Sequence, residues 1–180
     1  AKIAPLLTQL ASAYQKGEQM SAAVSRYQEA GQLYRQLGEL GTSATIHESL
    51  ARYQLANSDP ETAVQNLQTG LELRRMLNDP VKTGDTLSLL ATAYTKLGQA
   101  QQAHDYLSEA SELFAANREN AKAANALAGI ANAQYKAEQF ADAATTYEKL
   151  LGIRRALGDE AKTAAVLQLL GISLFKSGHS

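Results

Sequence analysis

Few residues of the types that carry catalysis or bind metals occur in this sequence, and they lie far apart. The chain has no cysteine, which excludes thiolate metal sites, disulfides and cysteine nucleophiles. Its three histidines, His47, His104 and His179, lack the His-x3-His or Glu-x2-His spacing that would place two metal ligands on one helix face. The sequence contains no glycine-rich phosphate loop and no nucleophile elbow. We therefore expect a protein without catalytic residues, metal or cofactor.

The charge and the apolar content exclude several other classes of protein. Seventeen Lys and Arg oppose eighteen Asp and Glu, whereas a nucleic-acid-binding protein carries a clustered excess of cations. No apolar run approaches the roughly 18 to 20 residues of a membrane helix. The hydrophobic fraction of 45% is too high for an intrinsically disordered chain. There is no signal peptide at the start, so we expect a cytoplasmic protein whose partners are proteins rather than nucleic acids or membranes.

The sequence repeats with a period of 40 residues and needs no gap for its alignment. Four repeats, 1–40, 41–80, 81–120 and 121–160, are complete, and 161–180 is the first half of a fifth. One aligned column holds only branched aliphatic residues, namely Leu10, Leu50, Leu90, Ile130 and Leu170. Another is alanine in every complete repeat, at Ala23, Ala63, Ala103 and Ala143. Columns of large and of small residues are what closely packed helices require, and we expect these four alanines to be buried.

Each repeat divides into two amphipathic helices. The first half of repeat 1 has apolar residues at the i, i+3, i+4, i+7 spacing of a helix, at Leu7, Leu10, Ala11 and Tyr14. We expect breaks within the ranges 16–19, 56–60, 96–99 and 136–139. Asp59, directly before Pro60, predicts a helix N-cap. Nine helices that each pack on their neighbours predict an all-α fold, an α-solenoid, in a single domain of residues 1–180.

These columns resemble the tetratricopeptide repeat (TPR), whose 34-residue form carries W-x2-L-G-x2-Y, then A-x3-F, then Pro. The first motif is matched by Leu10, Ala11 and Tyr14, and the second by Ala23/Tyr27, Ala63/Leu67, Ala103/Leu107 and Ala143/Tyr147. The sequence is similar to the 40-residue TPRs of spindle-orientation adaptors and bacterial signalling proteins. In that form we expect the second helix to be about a turn and a half longer than in the 34-residue repeat. The resemblance implies a right-handed superhelix of four and a half helix-turn-helix repeats that acts as a protein-binding scaffold or adaptor.

The resemblance also implies a peptide-binding groove lined by the first helix of each repeat. If the apolar stripe faces the core, positions 5, 8, 12 and 15 of each repeat face outward. The expected groove residues are Thr8, Ser12, Gln15, Thr45, Glu48, Arg52, Asp85, Ser88, Thr92, Asn125 and Asn132. The alternative is a solvated helix face on which Glu48 and Arg52 form an ordinary i,i+4 ion pair. Chaperone-binding TPRs carry Lys and Asn where this sequence has Thr8 and Ser12, so we do not expect a chaperone C-terminus as ligand.

The recurring cations and His47 have structural explanations beside functional ones. A lysine recurs at one position in all repeats except the second, at Lys16, Lys96, Lys136 and Lys176. This row either steers an acidic peptide or offsets the dipoles of helix C-termini. For the pairs Arg74-Arg75 and Arg154-Arg155 we expect packing, with cation–π contacts to neighbouring rings, rather than a nucleic-acid patch. His47 occupies a packing column, which predicts a hydrogen-bonded core histidine.

The last helix, at 161–176, is apolar on nearly all sides. Its outward columns carry Leu169, Ile172 and Phe175, whereas a solenoid ordinarily ends in a polar capping helix. We expect these side chains to be covered, either by a second helix of a parent protein or by another copy of the chain. The sequence therefore leaves three functions open: a peptide-binding scaffold, a structural self-assembly module, and a regulatory segment of a larger multidomain signalling protein.

Overall fold

A computed structural model describes residues 3–178, and within that range all the regular secondary structure is α-helical. The nine helices are α1 (Ile3–Lys16), α2 (Met20–Gln36), α3 (Leu40–Ala56), α4 (Pro60–Met76), α5 (Pro80–Lys96), α6 (Ala100–Ala116), α7 (Asn120–Lys136), α8 (Phe140–Ala156) and α9 (Glu160–Lys176). Each pair of helices matches one sequence repeat. The predicted helices and the breaks between them are confirmed.

The helices form two compact bodies. The N-terminal body is Ala1–Leu97 and contains α1 to α5, and the C-terminal body is Gly98–Ser180 and contains α6 to α9. In each body every helix packs on the next one along the chain. The sequence shows no sign of this division, because its 40-residue period continues through residue 97.

Every helix ends on the same left-handed turn. From α2 to α9 the helices are 17 residues long and begin 20 residues apart. The second residue after each helix has a positive φ, at Glu18, Gly38, Ser58, Asn78, Gly98, Arg118, Glu138, Gly158 and Gly178. In seven of these turns the next amide returns to the helix, as Glu39 N donates to Tyr34 O at 2.9 Å. In repeats 2, 3 and 4 the two helices have the same length of 17 residues, so the longer second helix expected relative to the 34-residue repeat stays a prediction.

Aspartates cap three of the helices at their N-termini. Asp59 Oδ1 accepts from Thr62 N at 3.2 Å, which confirms the predicted cap of α4. Asp79 and Asp159 cap α5 and α9 in the same way, at 3.0 and 3.1 Å. Lys162 Nζ lies 2.8 Å from Asp159 Oδ2, and the hydrogen bonds from Lys162 hold the pKa of Asp159 below its usual value. Each cap satisfies an amide that has no partner inside its own helix.

The alanine column marks the tightest packing in both bodies. Ala23 and Ala63 are 1% and 0% exposed in the N-terminal body, and Ala103 and Ala143 are 5% and 0% exposed in the C-terminal body. The prediction of nearly complete burial is therefore confirmed. A larger side chain at these positions would overpack the contact between helices.

Glycine and serine bring α2 and α3 into close contact in the N-terminal body. Ser43 Oγ of α3 donates to Gly31 O of α2 at 2.8 Å. A Cβ added at Gly31 would lie 3.4 Å from both Ile46 and His47, at the short end of ordinary van der Waals contact. Small residues at this crossing therefore set how closely the two helices approach.

Candidate functional site

The predicted groove residues lie on α1, α3, α5 and α7, and they fall into two classes by exposure. Six are exposed, namely Gln15, Thr45, Arg52, Thr92, Asn125 and Asn132. Five are half-buried, namely Thr8, Ser12, Glu48, Asp85 and Ser88. Asn125 and Asn132 belong to the C-terminal body and all the others to the N-terminal body. Each body therefore presents its own stretch of this polar helix face.

Four of the five hydroxyl groups on this face donate their protons to their own helices. Thr8, Thr45, Ser88 and Thr92 each donate to the carbonyl four residues earlier, at 3.1, 3.0, 2.9 and 3.0 Å. A hydroxyl in this arrangement keeps lone pairs and can still accept a hydrogen bond. Toward a ligand these side chains would therefore act as acceptors, suited to the N–H groups of a peptide backbone.

Glu48 departs from the prediction because its carboxylate is used inside the fold. Arg74 Nε donates to Oε1 at 2.9 Å and Arg74 Nη2 to Oε2 at 3.0 Å, while Thr86 Oγ1 donates to Oε1 at 2.7 Å. The Glu48 and Arg74 side chains are only 14% and 8% exposed. The hydrogen bonds with Glu48 raise the pKa of Arg74. Glu48 pairs with Arg74 instead of the i,i+4 pair with Arg52 that was the alternative to a groove, since α4 brings a planar guanidinium that both carboxylate oxygens can bind.

The equivalent arginine of the C-terminal body binds a neutral partner. Arg154 Nη2 donates to Asn125 Oδ1 at 2.7 Å, and its Nη1 lies 3.9 Å from Asp159 Oδ2. Arg74 and Arg154 are both buried, which confirms the predicted packing role. The Arg74 and Arg154 guanidinium groups bind oxygen atoms of neighbouring helices rather than aromatic rings.

The recurring lysines lie in the last turn of their helices, as the explanation by helix dipoles requires. One of them also covers aromatic rings. Lys176 Nζ lies 5.3 Å from the centre of the Tyr135 ring and 4.7 Å from that of Phe140. The two rings meet edge to face with their centres 5.5 Å apart. This cation–π cluster closes one side of the contact between α7, α8 and α9.

Asn132 supports a core residue of the C-terminal body. The Tyr147 hydroxyl donates to Asn132 Oδ1 at 2.7 Å, and the Tyr147 side chain is almost completely buried. Burial raises the pKa of Tyr147, so the phenol stays protonated and remains a donor. Asn132 thus has a structural role in addition to its exposure on the predicted binding face.

His47 is a satisfied, half-buried histidine, as predicted from its packing column. Its Nδ1 lies 2.8 Å from Asn66 Oδ1, and Asn66 Nδ2 donates to Gln54 Oε1 at 3.0 Å. Because the amide nitrogen of Asn66 points to Gln54, its oxygen faces His47, and Nδ1 carries the ring proton. His104 is half-buried on α6, and His179 lies outside the described residues.

A cavity of about 290 Å³ opens in the N-terminal body between α1, α2 and α3. Two of its lining residues, Gln15 and Thr45, belong to the predicted groove. The other eight were missed by the sequence analysis and are Met20, Ala23, Val24, Tyr27, Ile46, Ser49, Leu50 and Tyr53. The available signal was Ser49, a small polar residue in the aligned column that holds Leu89 and Leu169 in other repeats.

The last helix is covered on one side only. Leu169 is half-buried and packs on the core of the C-terminal body, and Ile172 is also half-buried. Phe175, in contrast, is 76% exposed, and Leu167 is 43% exposed. Nothing lies within 4 Å of a Cβ added at Gly171, on the same helix. Coverage by another helix or another copy of the chain therefore stays a prediction, and it now concerns mainly Phe175 and Leu167.

Within residues 3–178 no group of three or more His, Asp or Glu side chains is placed so that it could hold a metal ion. Likewise, none of the helices in the described part of the chain has the length and apolar character needed to cross a membrane.

Paired helices with a 40-residue period, alanine-lined contacts and a polar face on each first helix define a helical repeat protein of the TPR type. The family model of the soluble NSF attachment proteins (SNAP) matches residues 2–157, and the chain belongs to this family. No curated protein sequence matches the chain.

Three solved structures share the fold at low sequence identity. The signal transduction ATPase with numerous domains (STAND) from Pyrococcus horikoshii, a protein with a tetratricopeptide repeat sensor, is 16% identical with a TM-score of 0.75; the match covers 96% of this chain and 27% of that protein. BtubC from P. vanneervenii is 21% identical with a TM-score of 0.76, and the match covers 96% of this chain and 72% of that protein. Aspartyl phosphate phosphatase F from Bacillus subtilis is 17% identical with a TM-score of 0.75, and the match covers 95% of this chain and 45% of that protein. The chain thus spans about a quarter of the STAND protein, and the likeness shows the fold alone.

Proposed function

We propose that this chain is a protein-interaction scaffold that binds an extended segment of a partner protein along the polar face of α1, α3 and α5. The observation that carries the proposal is the exposed stripe Gln15, Thr45, Arg52 and Thr92, which borders an open cavity in the N-terminal body. The name of the matched family, which describes attachment proteins, supports a binding role rather than a catalytic one. The chain acts without a cofactor in this role.

The chemistry of the stripe suits a peptide. Thr92 accepts hydrogen bonds from backbone N–H groups, because its own proton is already donated within the helix. Thr45 Oγ1 donates in the same way and already accepts from Arg74 Nη2 at 2.9 Å, so it keeps one lone pair for a further donor. Arg52 is an exposed cation that can pair with a carboxylate or a carbonyl of the partner. Half-buried Asp85 and Ser88 on α5 would extend the contact, and Asn125 and Asn132 offer a separate stretch on the C-terminal body.

A self-assembly module is the second candidate function, and the exposed Phe175 of α9 supports it. A role as a regulatory segment of a larger protein is supported by the STAND neighbour, in which such repeats form a sensor. In that case the same polar face would receive the regulating partner. A cytoplasmic location suits all three roles and is part of this proposal.

Replacement of Arg52 and Thr92 by Ala tests the scaffold function. We expect peptides selected from a displayed random library on the full chain to bind the double variant at least about tenfold more weakly, since about 1.4 kcal/mol corresponds to a factor of ten. Calorimetric titration with these peptides measures the effect. Both residues are exposed, so the melting temperature should hardly change.

The matched control replaces Gln65 and Gln68, which are exposed on α4, by Ala. This control should leave peptide binding unchanged. Asn132 is unsuitable for such a test because its loss would leave the buried Tyr147 hydroxyl without its acceptor. Equal binding by the Arg52/Thr92 variant and the wild type would place the binding surface elsewhere.

A further inference from the structure

The cavity of the N-terminal body is lined by polar and apolar residues, and the apolar ones provide most of its surface. Met20, Val24, Ile46 and Leu50 contribute aliphatic surface, and Tyr27 and Tyr53 contribute rings. None of the residues that line it is charged. A charged group placed there would lose its water without gaining a counterion, which is strongly unfavourable.

Three of the four hydroxyl groups that line the cavity donate their protons within the fold. Thr45 Oγ1 donates to Gly41 O at 3.0 Å, and Ser49 Oγ donates to Thr45 O at 2.8 Å. The Tyr27 hydroxyl donates to Gln15 Oε1 at 3.4 Å. Because these protons are used within the fold, the cavity makes little demand on an occupant for hydrogen bonds. An uncharged, apolar occupant fits it best.

The C-terminal body carries larger side chains at three equivalent positions. A step of 120 residues, which is three repeats, relates Gln15 to Tyr135, Met20 to Phe140 and Ser49 to Leu169. There the two rings contact each other and Lys176 Nζ lies 4.7 Å from the Phe140 ring, whereas the N-terminal body has Ala56 at the position of Lys176. The fourth repeat thus places its own aromatic groups where the first repeat has an open cavity.

We propose that this cavity is an anchor pocket for one uncharged aromatic or large aliphatic side chain of the partner segment. The inference rests on the proposed scaffold function and adds the chemistry by which the segment is recognised. A dry cavity of about 150 Å³ can bind benzene, so the larger volume here accommodates a phenylalanine or leucine side chain. Gln15 and Thr45, at the edge of the cavity, would then face the backbone of the same segment. Single side chains buried in such pockets dominate the affinity of many interfaces.

The two methionines of the chain make this proposal measurable. Met20 lines the cavity, while Met76 lies at the end of α4 and is 61% exposed. With methyl-labelled methionine, we expect N-acetyl-phenylalaninamide to shift the Met20 signal in a saturable manner and to leave the Met76 signal in place. The cationic probe N-acetyl-lysinamide and the anionic probe N-acetyl-aspartic acid α-amide should shift neither signal, because the cavity offers no counterion.

Two variants that borrow residues from other repeats close the cavity. Ser49→Leu introduces the residue type of Leu169, and Gln15→Tyr introduces that of Tyr135. We expect each to weaken binding of the phenylalanine probe at least about tenfold. Gln65→Leu adds a leucine at an exposed position of α4 outside the cavity and should bind the probe like the wild type.

Three outcomes would overturn the proposal: no saturable shift of Met20, an equal shift by the lysine probe, or undiminished binding by both closed variants. The library-selected peptides separate this failure from that of the scaffold function. If those peptides bind the Ser49→Leu variant normally but lose affinity for the Arg52/Thr92 variant, the polar face binds the partner and the cavity is not its anchor. If they lose affinity for neither variant, both proposals fail.

Discussion

A single residue position shows how one packing problem is solved in two ways. Position 34 of the repeats is filled by Tyr34, Arg74, Phe114 and Arg154 in turn, and all four are buried. The aromatic residues fill the space with a ring. The arginines fill it with their aliphatic stems and must find oxygen atoms for their charge, which Glu48 supplies for Arg74 and Asn125 for Arg154. A buried charge at this position is therefore tied to the residue type that faces it.

Removal of the carboxylate that faces Arg74 should destabilise the fold. Glu48→Ala leaves the buried guanidinium without its counterion and deprives Thr86 of an acceptor. We expect the free energy of unfolding to fall by about 3–5 kcal/mol, the usual cost of breaking a buried ion pair from one side. Urea unfolding followed by circular dichroism measures this change.

Arg52→Ala, one turn further along α3, is the control and should change the stability by no more than about 0.5 kcal/mol. Repeat 3 has Ser88 and Phe114 at the equivalent positions, so the double variant Glu48→Ser with Arg74→Phe should recover most of the lost stability. A loss for Glu48→Ala as small as that for Arg52→Ala would show that the ion pair contributes little.

At the scale of the helices, the left-handed turn that ends each helix is occupied by different residue types. The residue with positive φ is glycine after α2, α5, α8 and α9, but Glu, Ser, Asn or Arg after the other helices. A side chain in the left-handed region costs energy, whereas a glycine inside a helix costs energy for the opposite reason, its freedom in the unfolded chain. Gly158 and Gly152 separate these two effects within one stretch of chain.

Alanine substitution at these two glycines should have opposite effects. Gly152 lies within α8 and Gly158 follows it with φ +68°, and at neither position would a new Cβ meet an atom within 4 Å. Gly152→Ala should stabilise the protein by about 0.5–1 kcal/mol, because alanine favours the helix. Gly158→Ala should destabilise it by about 1–2 kcal/mol through backbone strain alone. Thermal unfolding of the two variants beside the wild type gives both values, and effects of the same sign would refute this account of the turn.

At the scale of the whole molecule, α9 of the C-terminal body exposes an apolar face in the part of the chain that the structure describes. Within α3 and α7, the alanines at positions 4 and 11 of the repeat are fully buried, as Ala44, Ala51, Ala124 and Ala131 show. On α9 the equivalent residues, Ala164 and Gly171, are exposed, together with Leu167 and Phe175. A face of small and large apolar residues has the same character as the faces that bind a second helix elsewhere in the chain.

We expect the isolated chain to self-associate through α9. Burial of about 300 Å² of apolar surface would favour association by roughly 7 kcal/mol before the costs of association are subtracted. Light scattering over a concentration series should show a mass above that of one chain for the wild type. Phe175→Ser combined with Leu167→Ser should restore the monomer.

Met76→Ser removes an apolar side chain that is 61% exposed on another helix, and this control should leave self-association unchanged. A wild-type chain that stays monomeric at high concentration would contradict the prediction. In that event Leu169, Ile172 and Phe175 would be ordinary parts of a terminal helix.

The period, the helix boundaries and the buried alanines were predictable because they depend on residues close together in sequence. The i, i+4 spacing marks a helix face, Asp59 before Pro60 marks a helix start, and alanine at a constant phase marks a close contact. These are properties of local conformation and of side-chain volume. The helix spacing and the alanine recur in all four complete repeats, so that one repeat corroborates another.

The use of individual polar residues was decided by the tertiary structure. Glu48 binds Arg74 and Thr86, which lie 26 and 38 residues away in sequence, and no local pattern predicts these partners. The cavity likewise depends on side chains from three helices whose sizes do not complement one another, although each helix alone fits the repeat pattern. The physical reason is that amphipathic periodicity determines which face of a helix is buried, whereas hydrogen-bond partners and unfilled volume arise only when separate faces meet.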